Sequence, residues 1–148
     1  MKGLRSFVIL LIPGFLLWAC GSTGKTEEKI TEEKSPRYQC YGLYTDTDSV
    51  FLKLTFLGEE VTGDLTYKLY EKDKNQGMLQ GVMHGDTLLA TYQFTSEGKT
   101  STRDVAFLKQ GNGLVEGFAP MDEEGIHFKS KNDIDFAGIV LQPGECYE

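Results

Sequence analysis

From Arg37 onward, apolar and polar residues alternate with a period of two, the mark of strands with one face on a core. Residues 49–57 set Val50, Leu52, Leu54 and Phe56 against Phe51, Lys53 and Thr55. Residues 60–71 repeat the pattern, with Val61, Leu65, Tyr67 and Leu69 against Thr62, Asp64, Thr66 and Lys68. Residues 87–96 show the cleanest case, Leu88, Ala90, Tyr92 and Phe94 against Thr87, Thr91, Gln93 and Thr95. Further strands are expected at 37–44, 78–84, 100–110, 114–119 and 134–141, with a brief pairing at 126–128. Between them lie turn-forming residues: Thr45 to Asp48, Gly58-Glu59, Lys72 to Gly77, Gly85-Asp86, Glu97 to Lys99, Gly111 to Gly113 and Asp122 to Gly125. Gly and Asn adopt positive φ cheaply, so Gly111-Asn112-Gly113 is a strong hairpin signal. Pro143-Gly144 is expected to end the last strand.

Regular short strands with short connections predict an all-β fold. Consecutive hairpins favour a small antiparallel up-and-down barrel of about eight strands, because closure removes the sheet edges. Such a barrel is calycin-like in architecture. A two-sheet β-sandwich is the alternative.

The first 36 residues follow a different pattern. Lys2 and Arg5 precede a mostly apolar run from Phe7 to Leu17, which Pro13 and Gly14 interrupt. The run is short for a spanning helix, which needs roughly 20 residues, and its layout is that of an export signal. Leu17-Trp18-Ala19-Cys20 resembles the lipobox of bacterial lipoproteins, although Trp18 stands where that pattern prefers a small residue. The resemblance implies a signal peptide at 1–19, removal of that peptide, and lipidation of Cys20. Gly21 is not the Asp that retains many lipoproteins at the inner membrane, which by analogy favours the outer membrane. Residues 21–36 (GSTGKTEEKITEEKSP) are polar and cannot bury enough surface to fold alone. Residues 20–36 thus read as lipidated Cys and flexible tether, and residues 37–148 as the barrel domain.

Without residues 1–19 the chain has 13 basic and 22 acidic residues, a formal charge of −9. Nucleic acid is an unsuitable partner for such a surface, since counterion release needs Lys and Arg. Anionic headgroups are repelled as well, so acyl chains must hold the membrane, and stable anchoring takes more than one. Lipidation of Cys20 leaves Cys40 and Cys146 as an even pair. Export implies an oxidising compartment, where a bridge between them persists and would clamp the first strand to the last. Two free thiols are the alternative.

Enzymatic signatures are weak. Gly24-Lys25-Thr26 lacks the earlier glycine of a phosphate loop, since Ala19 occupies that position. Asp46-Thr47-Asp48 is followed by Val50 and Phe51 where a calcium loop needs an oxygen ligand and then Gly. Asp133 and Asp135 share a strand face that solvent explains as well as calcium does. Ser96 to Lys99 matches S-x-x-K, but so does Ser22 to Lys25 in the tether. His84 and His127 are far apart, each beside a turn, and read as surface or structural residues. No residue set calls for a metal or a cofactor.

Arg103 is the most informative polar residue. Arg37 is the only other arginine after the signal. Arg103 shares a strand face with Val105 and Phe107, and Glu116 follows in the next strand between Leu114 and Phe118. Buried charge must be paired or it is costly. One reading is an interior Arg103–Glu116 ion pair that fixes strand register. The other is a guanidinium awaiting an anionic ligand, with Glu116 as its partner when empty. Tyr38, Tyr41, Tyr44, Tyr67, Tyr70 and Tyr92 cluster in the first five expected strands, where core and sheet-face packing is the simplest account.

The segment around Gly85 to Leu88 (GDTL), Ser96 to Gly98 (SEG), Arg103 to Leu108 (RDVAFL) and the closing Cys146 resembles a family of small Bacteroidetes-type lipoproteins. That family has no established activity, so the resemblance brings none. Tyr38-Gln39-Cys40 and the terminal Cys also resemble membrane-bound inhibitors of c-type lysozyme, whose Ser-Gly-x-x-Tyr loop this chain lacks. The expectation is a non-enzymatic envelope lipoprotein that binds a small ligand or a partner protein. The alternative is an inhibitor or accessory subunit of an envelope hydrolase, acting through the loops at 72–77 or 121–125.

Overall fold

Alternation along most strands becomes an inside and an outside. The computed structural model describes residues 35–146. The expected signal peptide, Cys20 and the expected tether up to Lys34 lie outside the described residues. The elements are β1 (Arg37–Tyr44), β2 (Ser49–Leu57), β3 (Glu60–Lys68), β4 (Asn75–His84), β5 (Thr87–Ser96), β6 (Lys99–Gln110), β7 (Gly113–Gly117) and β8 (Val140–Gly144). Each strand pairs antiparallel with the next, and β8 returns to β1, closing the barrel. Closure excludes the sandwich.

In β2, Val50, Leu52, Leu54 and Phe56 are buried and face the interior. The β2–β3 register sets Leu52 opposite Leu65 and Val50 opposite Tyr67. On β4, Gly77 and Gly81 occupy interior positions opposite Leu65 and Val61, and a Cβ at either would collide with the backbone of β5. These glycines let β4 and β5 approach closely. Burying Leu52, Leu65, Leu79, Leu88 and Leu141 to 1% exposure or less supplies roughly 1.5–3 kcal/mol per side chain. Large side chains therefore fill much of the interior, as expected of an eight-stranded barrel.

The hairpin turns at Gly58, Gly85, Gly98 and Gly111 have positive φ, as the glycines foretold. Cys40 and Cys146 are joined Sγ to Sγ at 2.02 Å across 106 residues of chain. The bridge ties β1 to the segment just after β8.

The last third departs from its sequence pattern. The period-two run 134–141 is not one strand: β8 starts only at Val140 and includes Pro143-Gly144. Ile134 and Phe136 instead pack against Gly117, where an added Cβ would meet them at 2.5 and 2.6 Å. Residues 134–139 keep a single bridge, Phe118 to Asp135. Pro143 sits opposite Tyr41 of β1, past the two positions where β8 pairs with β7. There β8 has a neighbour on one side only, which tolerates a missing N–H. Residues 126–128 pair through a single bridge, Met121 to Phe128. Asn75 to Gly77, expected in a loop, begin β4.

Candidate functional site

Arg37 opens β1 at the end of the barrel that carries the Gly58, Gly85 and Gly111 turns. Toward the other end, the interior changes from aliphatic to aromatic and charged. Tyr67 comes from β3, Tyr92 and Phe94 from β5, Arg103 from β6 and Glu116 from β7. Arg103 lies directly across from Tyr92 in the β5–β6 register and on the same face as buried Val105 and Phe107. Its strand position therefore points it inward.

The sequence brings Arg103 and Glu116 to one region, but they do not form an ion pair. Glu116 lies opposite Phe107, four positions along β6 from Arg103. Its Oε1 accepts the Tyr67 hydroxyl at 2.6 Å. The one close contact between a basic and an acidic side chain among the described residues is His127 with Asp104, at 3.3 Å. Glu116 is 4% exposed, the one fully buried polar residue among those described. Burial pushes its carboxyl above the usual range, against the Tyr67 hydrogen bond and the Arg103 charge, which pull it down.

Three rings surround the Arg103 guanidinium instead. Its Cζ lies 5.5 Å from the Tyr67 ring, 5.9 Å from Tyr92 and 5.5 Å from Phe94. The rings brace one another: Tyr67 meets Tyr92 edge-on at 6.1 Å, and Tyr92 stacks on Phe94 at 4.9 Å. The Tyr92 hydroxyl donates to the Leu65 carbonyl at 2.8 Å, and burial pushes it up to about 12. Tyr67 is held well above the ordinary tyrosine value, by burial first and then by the Glu116 charge. Arg103 Nε is buried with no hydrogen-bond partner.

Arg103 and Glu116 line a cavity of about 200 Å³. Its remaining wall includes Phe118, Ala119, Met121 and Phe128 from the connector between β7 and β8. Asp104, on the outer face of β6, holds that connector in place. Its backbone N–H donates to the Ile126 carbonyl at 2.7 Å. Its carboxylate accepts the Phe128 N–H at 3.1 Å and lies 3.3 Å from His127 Nδ1. Within the connector, the Asp122 carboxylate accepts the Ile126 N–H at 2.8 Å. That bond above all holds Asp122 below its ordinary range.

The remaining candidates scatter. His84 is exposed at the end of β4, and Asp133 and Asp135 are exposed beside a 3-10 turn at Lys131–Asp133. No three His, Cys, Asp or Glu gather as metal ligands among the described residues. Ser96 to Lys99 forms the β5–β6 turn, not a helix start. Of the clustered tyrosines, Tyr41, Tyr67 and Tyr92 are core, while Tyr38, Tyr44 and Tyr70 are exposed. Sequence reasoning missed Tyr67 as the partner of Glu116. Its signal was a polar-tipped ring on an apolar face, which needs a hydrogen-bond partner when buried.

Comparison with protein-family models, with curated proteins and with solved structures finds no match.

Proposed function

We propose that this chain is an envelope lipoprotein, anchored through acylated Cys20, whose barrel is a non-enzymatic binding module for a small ligand. One observation carries the binding reading. Arg103 brings a guanidinium into the barrel, beside a cavity, and its buried Nε meets no acceptor. The residue as a whole is half-buried, and a guanidinium drawn into a barrel is ordinarily paired, which supports an anionic ligand. A leash at Cys20 would join the barrel through Arg37, leaving the Arg103 end remote from the point of attachment. The oxidised Cys40–Cys146 pair suits an exported protein.

Native mass spectrometry of the protein purified from its envelope, compared with the same sample denatured, tests the binding reading. An added mass that leaves on denaturation is expected, and none in the Arg103→Met variant. For the anchor, Cys20→Ser should abolish acyl labelling and release the protein from membranes. Unchanged labelling would refute lipidation.

A second reading, an inhibitor or accessory subunit of an envelope hydrolase, draws on Tyr44, Tyr70 and Phe118, each more than half exposed. Large exposed aromatics favour protein contacts. Crosslinking in the envelope, repeated after Tyr44→Ser and Tyr70→Ser, neither of which lines the Arg103 cavity, separates it from the first.

A further inference from the structure

The Arg103 guanidinium also constrains what it would hold. Rings attract a cation through their faces, but they do not accept the in-plane N–H groups of Arg103. Glu116 is not the acceptor, because Tyr67 holds its Oε1 and no Arg103–Glu116 ion pair forms. A completing ligand must bring oxygen, and a carboxylate matches the guanidinium fork with two parallel hydrogen bonds. Beyond the guanidinium the cavity wall is mostly apolar, Val105, Phe118, Ala119, Met121 and Phe128, together with the carboxyl-bearing Glu116 and Asp104, so most of the ligand is apolar. The space of about 200 Å³ suits a short molecule. A phosphate dianion would set two negative charges against one guanidinium, beside Glu116, and leave the apolar wall unfilled.

Resting on the ligand-binding reading above, we infer that this cavity takes a short-chain or single-ring organic monocarboxylate on Arg103, and that Glu116 takes up a proton from solvent as it binds. The ionisable groups around Glu116 are Tyr67 on β3 and Arg103 and Asp104 on β6. β8 has no ionisable residue, and the connector brings none to the cavity. An incoming carboxylate adds a negative charge beside Glu116, whose carboxyl the Arg103 charge already pulls down. Burial already disfavours the Glu116 carboxylate, so protonating it is the easier way to relieve the added negative charge.

Calorimetry on the full chain tests this, with benzoate, hexanoate and inorganic phosphate as probes, in two buffers of different ionisation enthalpy. Benzoate or hexanoate should bind and phosphate should not. Arg103→Met should weaken carboxylate binding at least about thirtyfold, whereas Arg37→Met, at the other end, should not. Arg103→Lys keeps the charge but loses the fork, and should also weaken it. Thermal melts check that each variant is folded. Wild type should take up a proton on binding at neutral pH, and Glu116→Gln should bind without uptake. Tighter binding of phosphate than of benzoate would overturn the inference, as would carboxylate binding indifferent to Arg103. Absence of uptake in wild type would overturn the role of Glu116. If neither carboxylate binds but native mass spectrometry shows an Arg103-dependent mass, this inference falls and the ligand-binding reading stands. If that mass is also missing, both fall.

Discussion

Replacing Tyr67 by Phe deletes one hydroxyl and keeps the ring under Arg103 and against Tyr92. The lost contact is the 2.6 Å hydrogen bond to Glu116, which is 4% exposed. A hydrogen bond to a charged group contributes about 1.5–3 kcal/mol, and a neutral one about 0.5–1.5. The cost should therefore depend on whether Glu116 is ionised. Its folded pKa is raised, mainly by burial, so the folded state keeps this proton to higher pH than the unfolded chain does. Stability from this group is full below the unfolded carboxyl value of about 4.3. It is lost as pH rises through the raised folded value. Tyr67 lowers that value, so Tyr67→Phe raises it further and deepens the loss. Guanidinium unfolding of wild type and variant, with the disulfide intact, should give a cost of about 2 kcal/mol near pH 8 and about 1 kcal/mol less near pH 4. The larger figure corresponds to a Tm drop of about 8–16 °C for a domain near 100 residues. A cost under about 0.5 kcal/mol near pH 8, or equal costs at both pH values, would refute the charged hydrogen bond.

Other perturbations probe the scaffold. Leu79→Ala, at a residue 1% exposed among core leucines and tyrosines, should cost about 2–5 kcal/mol in denaturant unfolding. Gly77→Ala directs a Cβ at the Gln93 carbonyl and the Phe94 Cα. It should lower the unfolding midpoint by at least the equivalent of about 1–3 kcal/mol and weaken amide protection along β4 and β5. Replacing Cys40 and Cys146 together by Ser opens a loop of 106 residues and should cost about 4–5 kcal/mol in the chain-entropy model, read from the same unfolding curves. Asp104→Ala removes the acceptor of the Phe128 N–H. Hydrogen exchange at Phe128 should quicken by tens of fold, the equivalent of about 2 kcal/mol, while the protection of β2 and β3 stays.

The strands of the first two thirds were legible because their information is local. A residue's side of a strand follows from its parity, so Val50, Leu52, Leu54 and Phe56, and likewise Leu88, Ala90 and Tyr92, showed their inward faces without any knowledge of partners. The positive-φ turns at Gly58, Gly85 and Gly111 were legible for the same reason. Even Arg103 and Glu116 could be placed inside from the apolar residues sharing their faces. The same parity misled at 134–141, where the alternation exists but serves to cover Gly117 rather than to build a ladder. Parity says which side is buried and not what buries it. Closure settled the rest. Curling the sheet brings β3 across the interior to β7, 49 residues later in the chain, and so gives Glu116 to Tyr67 instead of Arg103. No pattern within a strand encodes a neighbour across a barrel, because that neighbour is set by strand number, tilt and stagger together. The chain by itself determined which residues go inside. The closed barrel decided which of them meet, and left the guanidinium without an acceptor.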